Sequence, residues 1–514
     1  MATTFEIFPS IGIARLGTSD AFFIGPEPDV PLDLRRRDTS GRVLRQAARF
    51  RVFRCERDAT GLLTNAQELS ANDATIRWTV HLVNRKSAAP RFNGVGRRNN
   101  ATGNDVQDHD LIIDPGARSI TGPGTAQAMD TGKFKGVPVP LGHLEVDPLG
   151  RLVVLGGFGN SSSPSGALIR DFADNDDWHD DISDGPVTAT VSLVDGSTVE
   201  ALPSWVIIAP PDFAPEITNL VTLYDVLLDQ AIAQGQLQVP NPVSFEQHVK
   251  PILLRALGYQ WVNRQARQGF DDTQSGAHGP DGSLGNFASA MAILGDPNPA
   301  GNGLRQRIFR LLRNPSGPSA ATIPAQKRMP RLNDENDSGD VLPLTSTQYR
   351  AMQLWSQGQF VKTGVPQGEL LPDALTRTAL EACAGGAFFP GIEAGRILRE
   401  TARYMQGMPF RLSLAALMPG EVTQRNAVPW QADFHLCRWE DGGKQLGWWP
   451  AQRPDDILKD ANGSPVPWAR GLADTPEALI ANWHRLGFVK RDPANSQVFI
   501  EQDRDPTLSE TGPV

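Results

Sequence analysis

The stretch 430–450, WQADFHLCRWEDGGKQLGWWP, holds one of the three cysteines of the chain and four of its eleven tryptophans. Two chemistries fit these residue types. Read as a strand, Asp433, His435 and Cys437 share one face and suggest a Cys-His-Asp hydrolase, yet i, i+2 neighbours stand about 7 Å apart, too far for a thiol–imidazole hydrogen bond. Read as a helix with Pro429 in its first turn, Trp430, Asp433 and Cys437 fall on one face and put a carboxylate one turn from the thiol. That spacing suits a base beside a reactive sulfur. For an arbitrary cysteine or tryptophan the ordinary role is packing, as a small hydrophobe or a core indole. Asp433 fits that role least, because a carboxylate on an apolar face is partly desolvated and so suited to general-base work.

Other groups have plainer roles to set beside a chemical one. Cys55, Cys383 and Cys437 are widely spaced and odd in number, which matches neither a disulfide framework nor a four-ligand zinc site. The run DNDDWHDDISDG (174–185) carries six aspartates and His179. Its spacing is not that of an EF-hand, which leaves two readings: an oxygen-rich cation site, or an acidic connection into the next strand. GGFGNSSSPSG (156–166) matches neither a P-loop nor a dinucleotide fingerprint and reads as a flexible loop.

These residues need elements to position them. Residues 1–211 contain short alternating apolar runs between turn residues, as in TIRWTVHLVN (75–84), HDLIIDPGARSITGPG (109–124), GHLEVDPLGRLVVLGGFG (142–159) and the segment 185–211. DPLGR and VDGST read as hairpin turns. From 212 to 514 the period becomes helical, with amphipathic segments at 217–235, 243–257, 344–360, 372–386 and 475–488. The polar run 264–282 and PRLNDENDSGD, starting at 330, read as loops that could face a substrate. The expected fold is α+β: an N-terminal β-rich, sandwich-like domain (1–211) packed with a mainly α-helical C-terminal domain (212–514) that carries the candidate site.

The 514 residues suffice for a large buried core. Net charge is −9 and the basic residues are scattered, so the electrostatic footprint of a nucleic-acid binder is missing. Small molecules or proteins are the expected partners. No window has the roughly 18–20 apolar residues of a membrane span, and the first residues lack a classical export signal. The expected location is the cytoplasm, or outside it by another route. Assembly into a homo-oligomer stays open.

Several long motifs occur in one order along the whole chain: IFPSIGIARLG with FFIGPE, DWHDDISDGPVTA, RMPRLNDEND, ALEACAGGAFFPGIEAG, VPWQADFHLC and WWPAQRPDDI. In these motifs the sequence resembles the LodA-like quinoprotein family, the L-lysine ε-oxidases and glycine oxidases whose cofactor is cysteine tryptophylquinone (CTQ). This chain is shorter than the best-known members, so their peripheral insertions are expected to be absent. The resemblance implies that Cys437 supplies the thioether sulfur and Asp433 the acid/base. It places the modified indole at Trp448 or Trp449, with Trp483 as a third choice, and Cys383 as a second cysteine near the quinone.

The implied activity is oxidation of a primary amine or amino acid. The amine forms a Schiff base, Asp433 takes the proton from the substrate carbon, and O2 reoxidises the cofactor to give H2O2 with release of ammonia. A positioned base contributes about 10²–10⁴-fold to such a step. A separately encoded flavoprotein is the implied maturation partner. An arginine clamp for a substrate carboxylate would come from Arg328, Arg331 or Arg396. Two other readings stand beside this one: a family-like binding or structural protein that never forms the quinone, and a CTQ dehydrogenase that passes electrons to another protein.

Overall fold

The computed structural model describes residues 2–28, 35–58, 61–92, 94–99, 108–271, 285–317, 328–333, 341–364, 368–385, 392–393, 396–436 and 447–508. Alternation of apolar and polar side chains makes the first 210 residues a sheet. In strand Ala74–Val80, for example, Ile76, Trp78 and Val80 are buried while Thr75 and Arg77 are exposed. Among the described residues, thirteen strands share this sheet. Its main path runs 118–121, 74–80, 183–193, 204–209, 11–15, 45–57, 152–156, 142–146 and 126–129.

The two end strands, Arg118–Thr121 and Ala126–Met129, lie against each other, so the β-rich part is a nearly closed sheet. The hairpins at DPLGR and VDGST form, with Gly150 at φ 86° and Gly196 at φ 87°, where a glycine is needed. The central pair Ile11–Arg15 and Ser204–Ala209 is parallel and buried on both faces. Ala14, Val206 and Ile208 point into the main core. Ile11, Ile13, Trp205 and Ile207 point the other way, against helices Leu223–Ala233 and Leu371–Glu381.

The C-terminal helices are short and begin where their caps dictate. Thr222 and Asp225 form a capping box, so the first helix starts at Leu223 and not at 217. Thr345 with Gln348 does the same for Ser346–Ser356, and Thr475 caps Pro476–Asn482. No described α-helix exceeds 11 residues, so these helices draw their stability from packing. None is long and apolar enough to cross a membrane. The main core runs from Ile7 to Leu508 and joins the sheet to the C-terminal segments.

Three loop assignments need correction. Residues Arg264–Asp271 form a helix, and Arg264 pairs with Asp456 at 2.7 Å; 272–282 lie outside the described residues. Leu332–Asn333 pairs with Val341–Leu342 as a two-stranded ladder, with 334–340 outside the described residues. The segment 156–166 is not a free loop. Ser161 and Ser162 pair with Asp180 and His179, and the Gly159 carbonyl accepts from the Trp483 indole at 3.2 Å. Gly159 has φ +74°, and a Cβ there would stand 2.2 Å from the Trp483 ring. Packing of an aromatic ring onto a bare backbone explains the glycine.

Candidate functional site

The expected helix exists as Trp430–Leu436, seven residues that are almost wholly buried. Its start is set by the acidic segment. The Trp430 amide donates to Asp180 at 2.9 Å, and Asp180 in turn pairs with the buried Lys86 at 2.5 Å. An anion at a helix N-terminus is favourable, and the lysine offsets its burial. The other carboxylates of 174–185 are equally engaged. Asp174 binds Arg98, Asp176 binds Arg91, Asp177 binds Lys135, Asp181 accepts from the amides of Gly159 and Asn160, and Asp184 binds Trp205 and Thr423. Among the described residues no group of three ligands could hold a metal. Burial pushes Asp181 up to about 7 and Asp184 up to about 6.

Asp433 is 1% exposed and meets Arg453, which is 4% exposed. Arg453 Nη1 donates to the carboxylate at 2.6 Å and to the Asp433 main-chain carbonyl at 3.0 Å. The same guanidinium lies 4.1 Å over the Trp449 ring. Trp449 packs with Phe172, Ala173 and Ala427, and Leu436 closes the same cluster. Leu436 directly precedes Cys437, which lies outside the described residues. His435 pairs with Asp474 through Nε2 at 3.0 Å.

Trp448 sits differently. It stacks on Tyr259 with centroids 5.2 Å apart, and its amide donates to the Arg331 carbonyl at 2.5 Å. Tyr259 donates to Asn219 Oδ1 at 2.9 Å, which also accepts from the Ala451 amide at 2.8 Å. Asn219 Nδ2 donates to Gln452 at 2.8 Å, and Gln452 donates to the Ala382 carbonyl at 3.1 Å. This chain of bonds clamps the segment from Trp448 to Arg453. Trp483 stands on Trp430 in an edge-on contact of 5.4 Å.

Cys383 follows Ala382 and is buried between the sheet and its helices, with its thiol directed at the Ala379 carbonyl at 3.4 Å. Burial pushes this thiol well above its usual range, so it stays protonated. The neighbouring Arg15–Glu393 ion pair is also buried, and Arg15 shares the Ala382 carbonyl with Gln452. Of the candidate arginines, Arg331 reaches the site through its main chain, and its burial lowers the guanidinium pKa. The Arg396 side chain lies outside the described residues. Arg453, Tyr259 and Asn219 are the residues that sequence reading passed over. A buried carboxylate calls for a buried cation, and Arg453 in WWPAQRPDDI was the arginine to weigh.

Comparison with known proteins places this arrangement. The "L-Lysine epsilon oxidase N-terminal" family matches residues 8–208, and the "L-lysine epsilon oxidase C-terminal domain" matches residues 326–457. L-lysine 6-oxidase of Marinomonas mediterranea is 28% identical, with 98% of this chain and 90% of that protein aligned. The structure of the ε-lysine oxidase from Marinomonas mediterranea superposes with a TM-score of 0.77 at 23% identity, covering 98% of this chain and 95% of that one. The Schiff base intermediate of that enzyme with L-Lys gives 0.76 with the same coverage and identity.

The two family matches define an oxidase, and its β-rich part and helices share the fold of the ε-lysine oxidase structure. The chain belongs to the L-lysine ε-oxidase (LodA) family, and with it to the quinoproteins.

Proposed function

We propose that this protein oxidises the primary amine of an amino acid or related amine, using a CTQ built from Cys437 and Trp449. One observation carries the reading. Arg453 touches both the Asp433 carboxylate and the Trp449 ring, and Leu436, the neighbour of Cys437, packs in the Trp449 cluster. Trp448 is stacked on Tyr259 and Trp483 stands on Trp430, while the guanidinium that holds Asp433 lies over Trp449, which favours Trp449. The residues present fit the group: a carboxylate, an indole and the start of the cysteine segment converge in one buried place.

When formed, the quinone supplies an electrophilic carbonyl and accepts two electrons. Asp433 takes the proton from the carbon bearing the amine. The carboxylate is 1% exposed, so water is kept from it. Lysine is the leading substrate because the curated relative is an L-lysine 6-oxidase. O2 is the proposed electron acceptor, with H2O2 and ammonia as products, and a flavoprotein carries out maturation.

Co-expression with such a flavoprotein and intact mass measurement tests the class: a Cys–Trp crosslink with two added oxygens gains about 28 Da. Peroxide release with lysine and other primary amines then separates an oxidase from a dehydrogenase. An unmodified mass would overturn the proposal.

A further inference from the structure

We propose that Arg453 is a positioning residue for both halves of the site: it fixes the Asp433 carboxylate, and its cation favours the reduced state of the Trp449 ring. The inference rests on the reading of Trp449 as the modified residue.

One nitrogen of Arg453, Nη1, forks to the side chain and the main-chain carbonyl of the same residue, at 2.6 and 3.0 Å. Such a fork restrains the rotation of the carboxylate about its own backbone. The planar guanidinium can do this while its face rests on a ring, which a point-charge ammonium cannot. Arg453 is itself held in place. Its amide donates to the Pro450 carbonyl at 2.9 Å, and the preceding Gln452 is anchored by Asn219 and Ala382. The cation therefore ends a rigid chain of bonds that begins at Tyr259.

Electrostatics gives the contact a direction. A cation 4.1 Å over an aromatic face is attracted to its electron density, and the attraction grows when solvent is excluded. Oxidation of the indole to a quinone withdraws that density, and uptake of two electrons from the substrate carbon–nitrogen bond restores it. Arg453 therefore interacts better with the reduced ring and raises its reduction potential. Burial sharpens the argument, because a buried ion pair is weak support for stability when well-packed apolar groups could replace it.

The test uses the full chain co-expressed with the maturation flavoprotein, as wild type, Arg453→Met and Arg453→Lys. Wild-type protein without the gain of about 28 Da overturns the cofactor reading itself, and is thereby distinguished from failure of this inference. With the gain present, Arg453→Met is expected to show a lower midpoint potential. Reduction of the ring by amine should be slower by about 10²-fold, carried by kcat more than by KM. Arg453→Lys, which keeps charge but not the fork, is expected to recover the potential and not the rate. A folded Arg453→Met without the mass gain, regained in Arg453→Lys, also supports positioning. Unchanged potential and rate in Arg453→Met overturn the proposal. So does equal loss in both variants with equally depressed melting, which would make Arg453 a structural residue only.

Discussion

Replacing Asp181 by asparagine should stabilise the protein in neutral and alkaline solution and leave it unchanged in acid. Asp181 is 1% exposed. Its Oδ2 accepts the amides of Gly159 and Asn160 at 2.9 and 3.1 Å, while Oδ1 has no partner among the described residues. Burial, helped by the charge of Asp180, pushes this acid from 3.8 up to about 7. In the unfolded chain it keeps its ordinary value. Below pH 4 both states hold the proton and the group has no pH-dependent effect. Between pH 4 and 7 only the unfolded state ionises, so stability falls as pH rises, by about 1.4 kcal/mol per pH unit and about 4 kcal/mol in all.

The asparagine side chain would accept the same two amides and carry no charge at any pH. Wild type and Asp181→Asn should therefore melt together near pH 4 and separate as pH rises to 8. At about 2.1 cal/mol/K of unfolding entropy per residue, 4 kcal/mol amounts to about 4 °C for a chain of this length. Calorimetric scans across pH 4–8 measure it. A constant offset across that range, or an asparagine variant that melts lower at pH 8, would refute the reasoning.

Three further outcomes follow from the packing. Lys86→Met leaves Asp180 buried without its cation and should cost about 3–5 kcal/mol in denaturant titration, with most of the loss recovered in Lys86→Met/Asp180→Asn; a loss below about 1 kcal/mol would contradict the role of that pair. Gly159→Ala meets both a positive φ and the Trp483 ring, so it should cost at least about 2 kcal/mol, and a neutral result would show that the 156–166 segment is not packed as described. Burial pushes the Cys55 thiol up to about 12 and Cys383 well above its usual range, so neither should react with a thiol reagent at pH 8 until the protein unfolds. Rapid labelling of either in the native protein would contradict that.

Local pattern carried much of this into view. The alternation read in 75–84 and the helical spacing of Trp430 and Asp433 are properties of neighbouring residues; the strand forms at 74–80 and the helix at 430–436, with Cys437 outside the described residues. Caps refine the boundaries: Thr222 delays a helix that apolar periodicity alone would begin at 217. Near-closure of the sheet was not legible, because it depends on pairing residues 11–15 with 204–209 and on end strands that meet in space. The acidic run misleads for the same reason. Its composition is that of a solvated loop, but Lys86, Arg91, Arg98 and Lys135 come from elsewhere in the chain to neutralise it. Arg453 stands twenty positions beyond Asp433, and no spacing rule joins them.

A peptide map of the matured protein decides whether Cys437 and Trp449 form one cofactor. Trypsin should release NAVPWQADFHLCR (426–438) joined to QLGWWPAQRPDDILK (445–459) as one species, about 28 Da heavier than the sum of the two, with fragment ions placing the change on Trp449. Two separate unmodified peptides, or a crosslink that fragments to Trp448 or to the peptide holding Trp483, would contradict the account.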